Sequence, residues 1–295
     1  MGEAQIKRKK NRNRIWILIL LVAGLAALLY PVISTKWNDY RCRQLVSSYQ
    51  KSVQEKGNAT IERMKKDAER YNQTLFVPSV PDAFSTRDGV HDPAYEALLN
   101  PTGNGVMATI QIPAIRVNLP IYHYTTDESL KKGAGHLFGS SLPVGGKGTH
   151  AVISAHRGLP GARMFTDLNL LKKGDLFFIH VLDETLAYQV DQILTVKPDQ
   201  TQSLAIDRKK DYVTLVTCTP YAVNTHRLLV RGHRVPYHKG DEERASGQKR
   251  QDKTRLFWQI LSGIAGILAA VLIVKLATRF REKKEKDEKK ASGGQ

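Results

Sequence analysis

The sequence predicts a mainly β domain, a barrel or a sandwich, attached to two membrane-spanning helices. Short runs of β-type residues separated by turns follow one another between Val106 and Val235, which is typical of these architectures. Two uncharged apolar segments near the ends of the chain are each long enough to cross a hydrocarbon layer. With 41% hydrophobic and 25% charged residues, the 295-residue chain has the composition of a folded protein rather than a disordered one.

The apolar segments cover residues 15–33 and residues 256–274. A basic start followed by an apolar stretch also fits a cleaved signal peptide, but residues 15–33 are long for a signal core, so we expect an uncleaved anchor. The alternative for residues 256–274 is a buried core helix, which their uninterrupted apolar surface disfavours. The sequence therefore predicts two transmembrane helices.

Basic side chains flank these helices on their terminal sides, in residues 1–14 and 275–295. By the positive-inside rule both tails lie in the cytoplasm, and the chain between the helices lies outside the cell membrane. The tails carry a large part of the formal net charge of +17. The remainder forms no arginine-rich block with interleaved aromatics, so we expect no nucleic-acid partner.

The exposed region falls into three parts. Residues 34–104 form a helical extension, broken at Gly57, and continue into a long connection rich in proline and glycine. Connections of this length are usually functional, and a lid over a site is one such function. Residues 105–237 hold the β domain, and residues 238–255 form a polar tether to the second helix.

The chain has only two cysteines, Cys42 and Cys218. Extracytoplasmic domains that use cysteine structurally usually carry several, and a Cys42–Cys218 disulfide stays open as the structural alternative. A reactive thiol would instead need a base and a charged group to stabilise the reaction.

Both partners are available to Cys218. It ends the strand-like run "YVTLVTC", and Arg227 opens "RLLVR" after the eight residues "TPYAVNTH". If these runs pair as antiparallel strands, Cys218 and Arg227 face each other with Cβ atoms about 5 Å apart. The guanidinium would then favour the thiolate and could bind an oxyanion. His156 closes the run "AVISAH" at the mouth of a loop, which makes it the best candidate base.

The stretches "HAVISAHRGLP", "TLVTC" and "NTHRLLVRGHR" resemble the signature of the sortases, specifically the pilus-assembling class C, and the resemblance extends over residues 105–235. It implies a closed eight-stranded β-barrel that cleaves an LPXTG-like sorting signal between Thr and Gly. It also implies that Cys218 is the nucleophile that forms a thioacyl ester, His156 the general acid and base, and Arg227 the stabiliser. The acceptor would be a lysine amine of a pilin subunit, and no cofactor or metal is expected.

Class C sortases resemble one another in a lid that carries Asp-Pro followed by an aromatic residue. The candidate lid covers about residues 85–95, where Asp92 and Pro93 match but Ala94 stands at the aromatic position. Tyr95, one position later, could replace the missing ring, or Asp92-Pro93 could be an ordinary turn pair. Without the aromatic we expect a more mobile lid, since burying such a ring contributes about 1.5–3 kcal/mol.

Other functions remain open at this stage. A housekeeping sortase would attach surface proteins to a peptidoglycan amine, which the second apolar segment, the long extension and Asp92-Pro93 disfavour. A membrane-tethered β-barrel could also serve as a non-catalytic adhesin or receptor. A papain-type protease is disfavoured, because it needs an early, helix-borne cysteine and an orienting Asn or Asp.

Overall fold

The computed structural model describes residues 2–75, 81–85, 91–159 and 161–247, together with residues 261, 265, 266 and 269. Nearly all of the predicted helix at 256–274, the tail 275–295 and residues 86–90 of the candidate lid lie outside the described residues. The chain divides into two compact units, residues 1–33 with 252–295, and residues 34–251.

In the first unit, the predicted anchor at 15–33 belongs to the long helix α1 (Gly2–Gln54), which contains Pro31. Within the described residues, no single helix has both the length and the apolar character needed to span a membrane. Two helical stretches that meet at a bend of 44°, Ile19–Ala27 and Leu29–Gln54, meet the criterion only in combination.

Among the residues that the structure describes, the second unit contains the eight strands and four further helices. The strands are β1 (Val106–Ile112), β2 (Val117–His123), β3 (Ala134–His136), β4 (Thr149–Ser154), β5 (Leu176–Val181), β6 (Glu184–Val196), β7 (Asp211–Thr219) and β8 (His226–Val235). The helices are α2 (Asn58–Thr74), α3 (Pro93–Glu96), α4 (Asp127–Lys132) and α5 (Asp241–Ser246). Short 3-10 turns lie at Pro113–Ile115, Leu168–Leu170 and Gln202–Leu204.

The strands close into a barrel in the order β1-β2-β3-β4-β7-β8-β6-β5, with β5 returning to β1. This confirms the predicted eight-stranded closed barrel. Two of the pairings, β2 with β3 and β4 with β7, are parallel, and the others are antiparallel. Alternation along β7 sends Val213 and Leu215 into the barrel core, whereas Val216 belongs to a separate apolar cluster on the outer face.

The helical extension packs against the barrel through buried polar contacts. The Tyr49 hydroxyl of α1 donates a hydrogen bond to the Met107 carbonyl (3.0 Å) and accepts one from the Leu182 N–H (2.8 Å). In α2 the Asn72 side chain donates to the Leu142 carbonyl and accepts from the Leu142 N–H. The expected break at Gly57 is where α1 ends and α2 begins.

The predicted polar tether contains helix α5, and this helix is in contact with the barrel. Ala245 of α5 is buried with Phe178 and Ala187, which lie on β5 and β6. Residues 241–246 therefore pack with the barrel domain. The contact is made by the small side chain of Ala245, which covers the outer face of β5 and β6.

Gly232 of β8 lies at a tightly packed point of the barrel interior. A Cβ atom at this position would lie 2.5 Å from the Phe177 ring and 3.0 Å from Tyr188. These two rings are fully buried and stack with centroids 5.5 Å apart, so neither can move aside cheaply.

We expect Gly232→Ala to lower the free energy of unfolding by about 1–3 kcal/mol, because the added methyl overpacks the core. Thermal unfolding of the full chain in detergent, followed by near-UV circular dichroism, measures the change. Gly57→Ser is the matched control, because a Cβ there meets no atom within 4 Å and serine can cap α2. Equal losses in the two variants would contradict this account of Gly232.

Candidate active site

Cys218 and Arg227 form a directly opposed pair on the antiparallel strands β7 and β8. The hairpin pairing predicted from the sequence is therefore confirmed. Both side chains lie on the outer face of the barrel. The next pair on that face is Val216, two residues before Cys218, and Leu229, two residues after Arg227.

The parallel pairing of β4 with β7 brings His156 to the same row. Ser154 pairs with Val216, and His156 and Cys218 each follow two residues later. The alignment continues past the end of β4, because the Ala155 N–H donates to the Val216 carbonyl (3.2 Å) and the Thr217 hydroxyl donates to the Ala155 carbonyl (2.7 Å). The register thus aligns His156 with Cys218 on the outer face.

Arg157 extends this alignment by one more residue. Its Nη1 donates to the Thr219 hydroxyl (2.7 Å), and its Nε donates to the Thr166 carbonyl (3.3 Å). The Phe165 N–H donates to the His156 carbonyl (3.1 Å). Hydrogen bonds therefore hold the chain on both sides of His156. Because side chains alternate along the chain, the imidazole lies on the outer face of the barrel.

Burial governs the charge of the two reactive groups. Desolvation raises the pKa of the half-buried Cys218 thiol; Arg227 opposes this shift and Asp82 adds to it. Desolvation lowers the pKa of His156, while Asp127 acts to raise it and Lys131 to lower it. At neutral pH these directions favour a neutral thiol beside a neutral imidazole that can accept its proton.

Asp82 binds Arg227 through two parallel hydrogen bonds. Arg227 Nε donates to Oδ1 at 2.8 Å and Nη2 donates to Oδ2 at 2.9 Å. The two side chains are only 12% and 13% exposed, so solvent screens this pair weakly. The hydrogen bond to Asp82 is the largest cause of the raised pKa of Arg227.

Phe84 lies over the same groups. Its ring centroid is 5.2 Å from the Arg227 guanidinium carbon and 6.1 Å from the centroid of the His156 ring. Ala83 beside it is 1% exposed. The two side chains pack into an apolar groove on the outer face, lined by Leu137, Val152, Leu194, Val196, Leu204, Val216 and Leu229.

The sequence and the barrel of this chain are similar to those of known proteins. A family model described as "Sortase domain" matches residues 110–235. Sortase C-1 of Actinomyces oris is 48% identical, with a TM-score of 0.58, over 61% of this chain and 99% of that structure. The chain belongs to the sortase family.

Sortases named A, C and D are among its relatives. Sortase C of Streptococcus pneumoniae, whose structure bears on catalysis and pilin substrate specificity, is 44% identical over 66% of this chain and 97% of its own, with a TM-score of 0.61. Sortase A of Bacillus anthracis is 31% identical over 44% of this chain, and the match spans 60% of that relative. The likeness in structure is thus to class C sortases, which are cysteine transpeptidases.

In the structure of this sortase, the candidate lid residues Asp92 and Tyr95 make contacts other than with Arg227. Asp82, and not Asp92, is the carboxylate beside Arg227. The Asp92 side chain accepts hydrogen bonds from the Ala94 and Tyr95 N–H groups and so caps α3, whose first residue is Pro93.

Tyr95 is a core residue. It is fully buried, its hydroxyl lies 2.7 Å from His136 Nδ1, and its ring packs edge-on against Phe138 with centroids 4.9 Å apart. The aromatic ring that lies beside Arg227 and His156 is that of Phe84, and not that of Tyr95. The pairing of Asp82 with Phe84 has a trace in the sequence, because "VPDAF" places an Asp two positions before a Phe. This pattern differs from the adjacent Asp-Pro at residues 92 and 93.

Cys42 and Cys218 are both free thiols, which rules out the disulfide alternative. Cys42 is buried on α1, and burial raises its pKa to about 11. Across the described ranges, no three His, Cys, Asp or Glu side chains converge as a metal site would require.

Removing the charge of Asp82 should make the Cys218 thiol more acidic. Asp82→Asn deletes a negative charge that raises this pKa, so more thiolate is present at pH 7. We expect alkylation of Cys218 by iodoacetamide at pH 7 to rise roughly 3- to 10-fold, with the rate profile displaced to lower pH. Peptide mass spectrometry separates Cys218 from Cys42.

Asp92→Asn is the matched control for that experiment. It removes the same charge from a residue that caps α3, and the alkylation rate should stay at the wild-type value. A profile displaced equally by both variants would show that Asp82 has no specific effect on the thiol.

Arg157→Gln should slow cleavage of a sorting-signal peptide without weakening its binding. Losing the bond to Thr219 frees the backbone beside both His156 and Cys218, and small misplacements of reacting groups lower rates by up to about 100-fold. We expect kcat to fall roughly 10- to 100-fold with KM nearly unchanged, and Arg157→Lys to recover part of the loss. The control is Arg63→Gln on exposed α2, and an effect on KM alone would contradict a positioning role for Arg157.

Proposed function

We propose that this sortase is a membrane-anchored transpeptidase that joins pilin subunits, with Cys218, His156 and Arg227 as its catalytic residues. The observation that carries the proposal is the row of these three side chains along the edge of an apolar groove. Such a groove fits an extended peptide whose apolar side chains are buried and whose scissile bond lies beside the thiol.

In the first half-reaction, the Cys218 sulfur attacks the threonine carbonyl carbon of the sorting signal, and its proton passes to His156. The negative charge that develops on the carbonyl oxygen lies toward the Arg227 guanidinium, which stabilises it. The carbon–nitrogen bond then breaks, and His156 returns the proton to the leaving glycine amine. The threonine acyl group remains on Cys218 as a thioester.

In the second half-reaction, the neutral amine of a pilin lysine attacks the thioester and loses a proton to His156. The carbon–sulfur bond breaks, the thiol is regenerated, and an isopeptide bond links the two subunits. Support for pilin as the acceptor comes from the likeness to class C structures, among them the pneumococcal enzyme described for its pilin substrate specificity.

Asp82, Ala83 and Phe84 act in this proposal as the lid of the resting enzyme. They occupy the groove and pair with Arg227, so a peptide and this segment compete for the same place. Burial of the Phe84 ring contributes about 1.5–3 kcal/mol to closure, enough to keep the open state a minority. We therefore propose a closed resting lid rather than a loose one.

The proposed setting is the cell membrane, with residues 15–33 and 256–274 as two spans, the barrel outside and both tails in the cytoplasm. Support comes from the apolar character of the two segments and from the basic residues on their terminal sides. Proteins with an LPXTG-like sorting signal would reach the barrel on the outer surface.

Trapping of the thioacyl enzyme tests the chemistry. The full chain in detergent, incubated with a sorting-signal peptide, should gain the mass of the acyl fragment on Cys218. Cys218→Ala should abolish both the adduct and cleavage, whereas Cys42→Ala, the matched cysteine control, should keep both. An unreactive Cys218 would favour the adhesin or receptor function over a catalytic one.

The acceptor is tested by adding amines to the trapped enzyme. A pilin subunit should release the acyl group and produce a ladder of covalent multimers, and changing its acceptor lysine to arginine should remove the ladder. Release by a peptidoglycan stem-peptide amine but not by pilin would assign the housekeeping reaction instead.

A further inference from the structure

Three arginines from separate parts of the chain line one small cavity. Arg43 lies on α1, Arg116 follows the 3-10 turn between β1 and β2, and Arg163 lies in the connection after β4. With Asp39 they line a cavity of about 120 Å³, which we call the arginine pocket. Arg116 has a left-handed backbone conformation (φ 56°).

The arginine pocket carries excess positive charge. Asp39 is its one acidic lining residue, and burial raises the pKa of that carboxyl while Arg163 and Arg43 act to lower it. Within the part of the chain that the structure describes, none of the three guanidinium groups has an ion-pair partner within 4.0 Å. Their donors are therefore available to an anion.

Two exposed aromatic side chains lie in the same stretch of α1 as Asp39 and Arg43. Trp37 is 62% and Tyr40 49% exposed, and their ring centroids lie 6.1 Å apart. Tryptophan and tyrosine are enriched where proteins cross the membrane–water interface, because each has an apolar ring and a polar group. Large exposed rings of this kind have no role in the barrel core or in the catalytic row.

The residues of α1 that line the pocket follow the predicted span closely in sequence. Trp37 comes four residues after the predicted span ends at residue 33, and Asp39 and Arg43 come six and ten residues after it. Long arginine side chains extend to reach polar groups near a membrane surface. The polar layer beyond the hydrocarbon is about 5–8 Å thick on each side.

We propose that the arginine pocket, together with Trp37 and Tyr40, binds the phosphate groups of anionic lipids and holds the catalytic domain at the membrane surface. The planar guanidinium fork matches phosphate oxygens in pairs, and three such groups around one cavity suit a phosphodiester headgroup. This proposal rests on the membrane anchoring proposed above.

Hydrogen–deuterium exchange of the full chain in lipid nanodiscs tests the proposal. Amides of residues 37–43, 116–118 and 162–164 should exchange at least threefold more slowly in nanodiscs with 30% phosphatidylglycerol than in phosphatidylcholine alone. The triple variant Arg43→Gln, Arg116→Gln, Arg163→Gln should lose that difference. A charge-matched control, Lys51→Gln, Arg63→Gln, Arg70→Gln, changes exposed residues elsewhere on the helices and should keep it.

Three results would overturn the proposal, and they are distinguishable. Equal exchange in the two lipids, from a chain that resists extraction by alkaline carbonate, removes the lipid site and leaves the anchoring intact. Extraction of the chain by carbonate removes the anchoring and the lipid site together, whereas peptide cleavage by Cys218 tests the enzymatic proposal independently. The same protection from 10 mM inorganic phosphate in phosphatidylcholine alone would assign the pocket to a soluble anion.

Discussion

The arrangement of the active site depends on the register of three neighbouring strands. The parallel pairing of β4 with β7 aligns His156 with Cys218, and the antiparallel pairing of β7 with β8 aligns Cys218 with Arg227. Because side chains alternate with a period of two, a slip of one residue in either pairing would turn one of these three side chains into the barrel core. Closure of the barrel prevents such slips, since every strand in it has a neighbour on both sides.

Burial of the row has opposite consequences for stability and for reactivity. The segment with Asp82 and Phe84 shields the thiol from water and pairs with the arginine, which stabilises the closed state. The same desolvation raises the Cys218 pKa and lowers that of His156, so the charged pair is disfavoured while the groove is occupied. When the segment leaves, Arg227 loses its carboxylate partner and becomes free to stabilise an anion elsewhere. Opening of the lid and activation of the thiol are thus one event in the proposed reaction.

Short polar contacts near the row explain how loops maintain its geometry. His156 lies two residues beyond the last residue of β4, just after the backbone bond from Ala155 to Val216 that prolongs the strand pairing. Thr217 and Arg157 take over that function by bonding the chain beside each reactive residue. The sequence alone does not single out Arg157, because it is one basic residue among many. Only its contact with Thr219 distinguishes it from a surface arginine.

The sequence by itself determined a β domain, with barrel and sandwich both open, and the pairing of Cys218 with Arg227, whereas the closed eight-stranded barrel was implied by the resemblance to sortases. Alternation in "YVTLVTC" and "RLLVR" specifies faces, and the short connection between them specifies a hairpin, so Cys218 and Arg227 could be paired from local pattern alone. The tertiary structure alone decided which acidic residue meets Arg227. Asp82 and Asp92 lie in the same irregular connection, and their surroundings in the sequence do not differ in any periodic way. The folded structure distinguishes the two aspartates. Ala83 and Phe84, next to Asp82, enter a groove built from four distant strands, whereas Tyr95, near Asp92, enters the core. Local sequence does not show this difference, because it arises from packing between residues far apart in the chain.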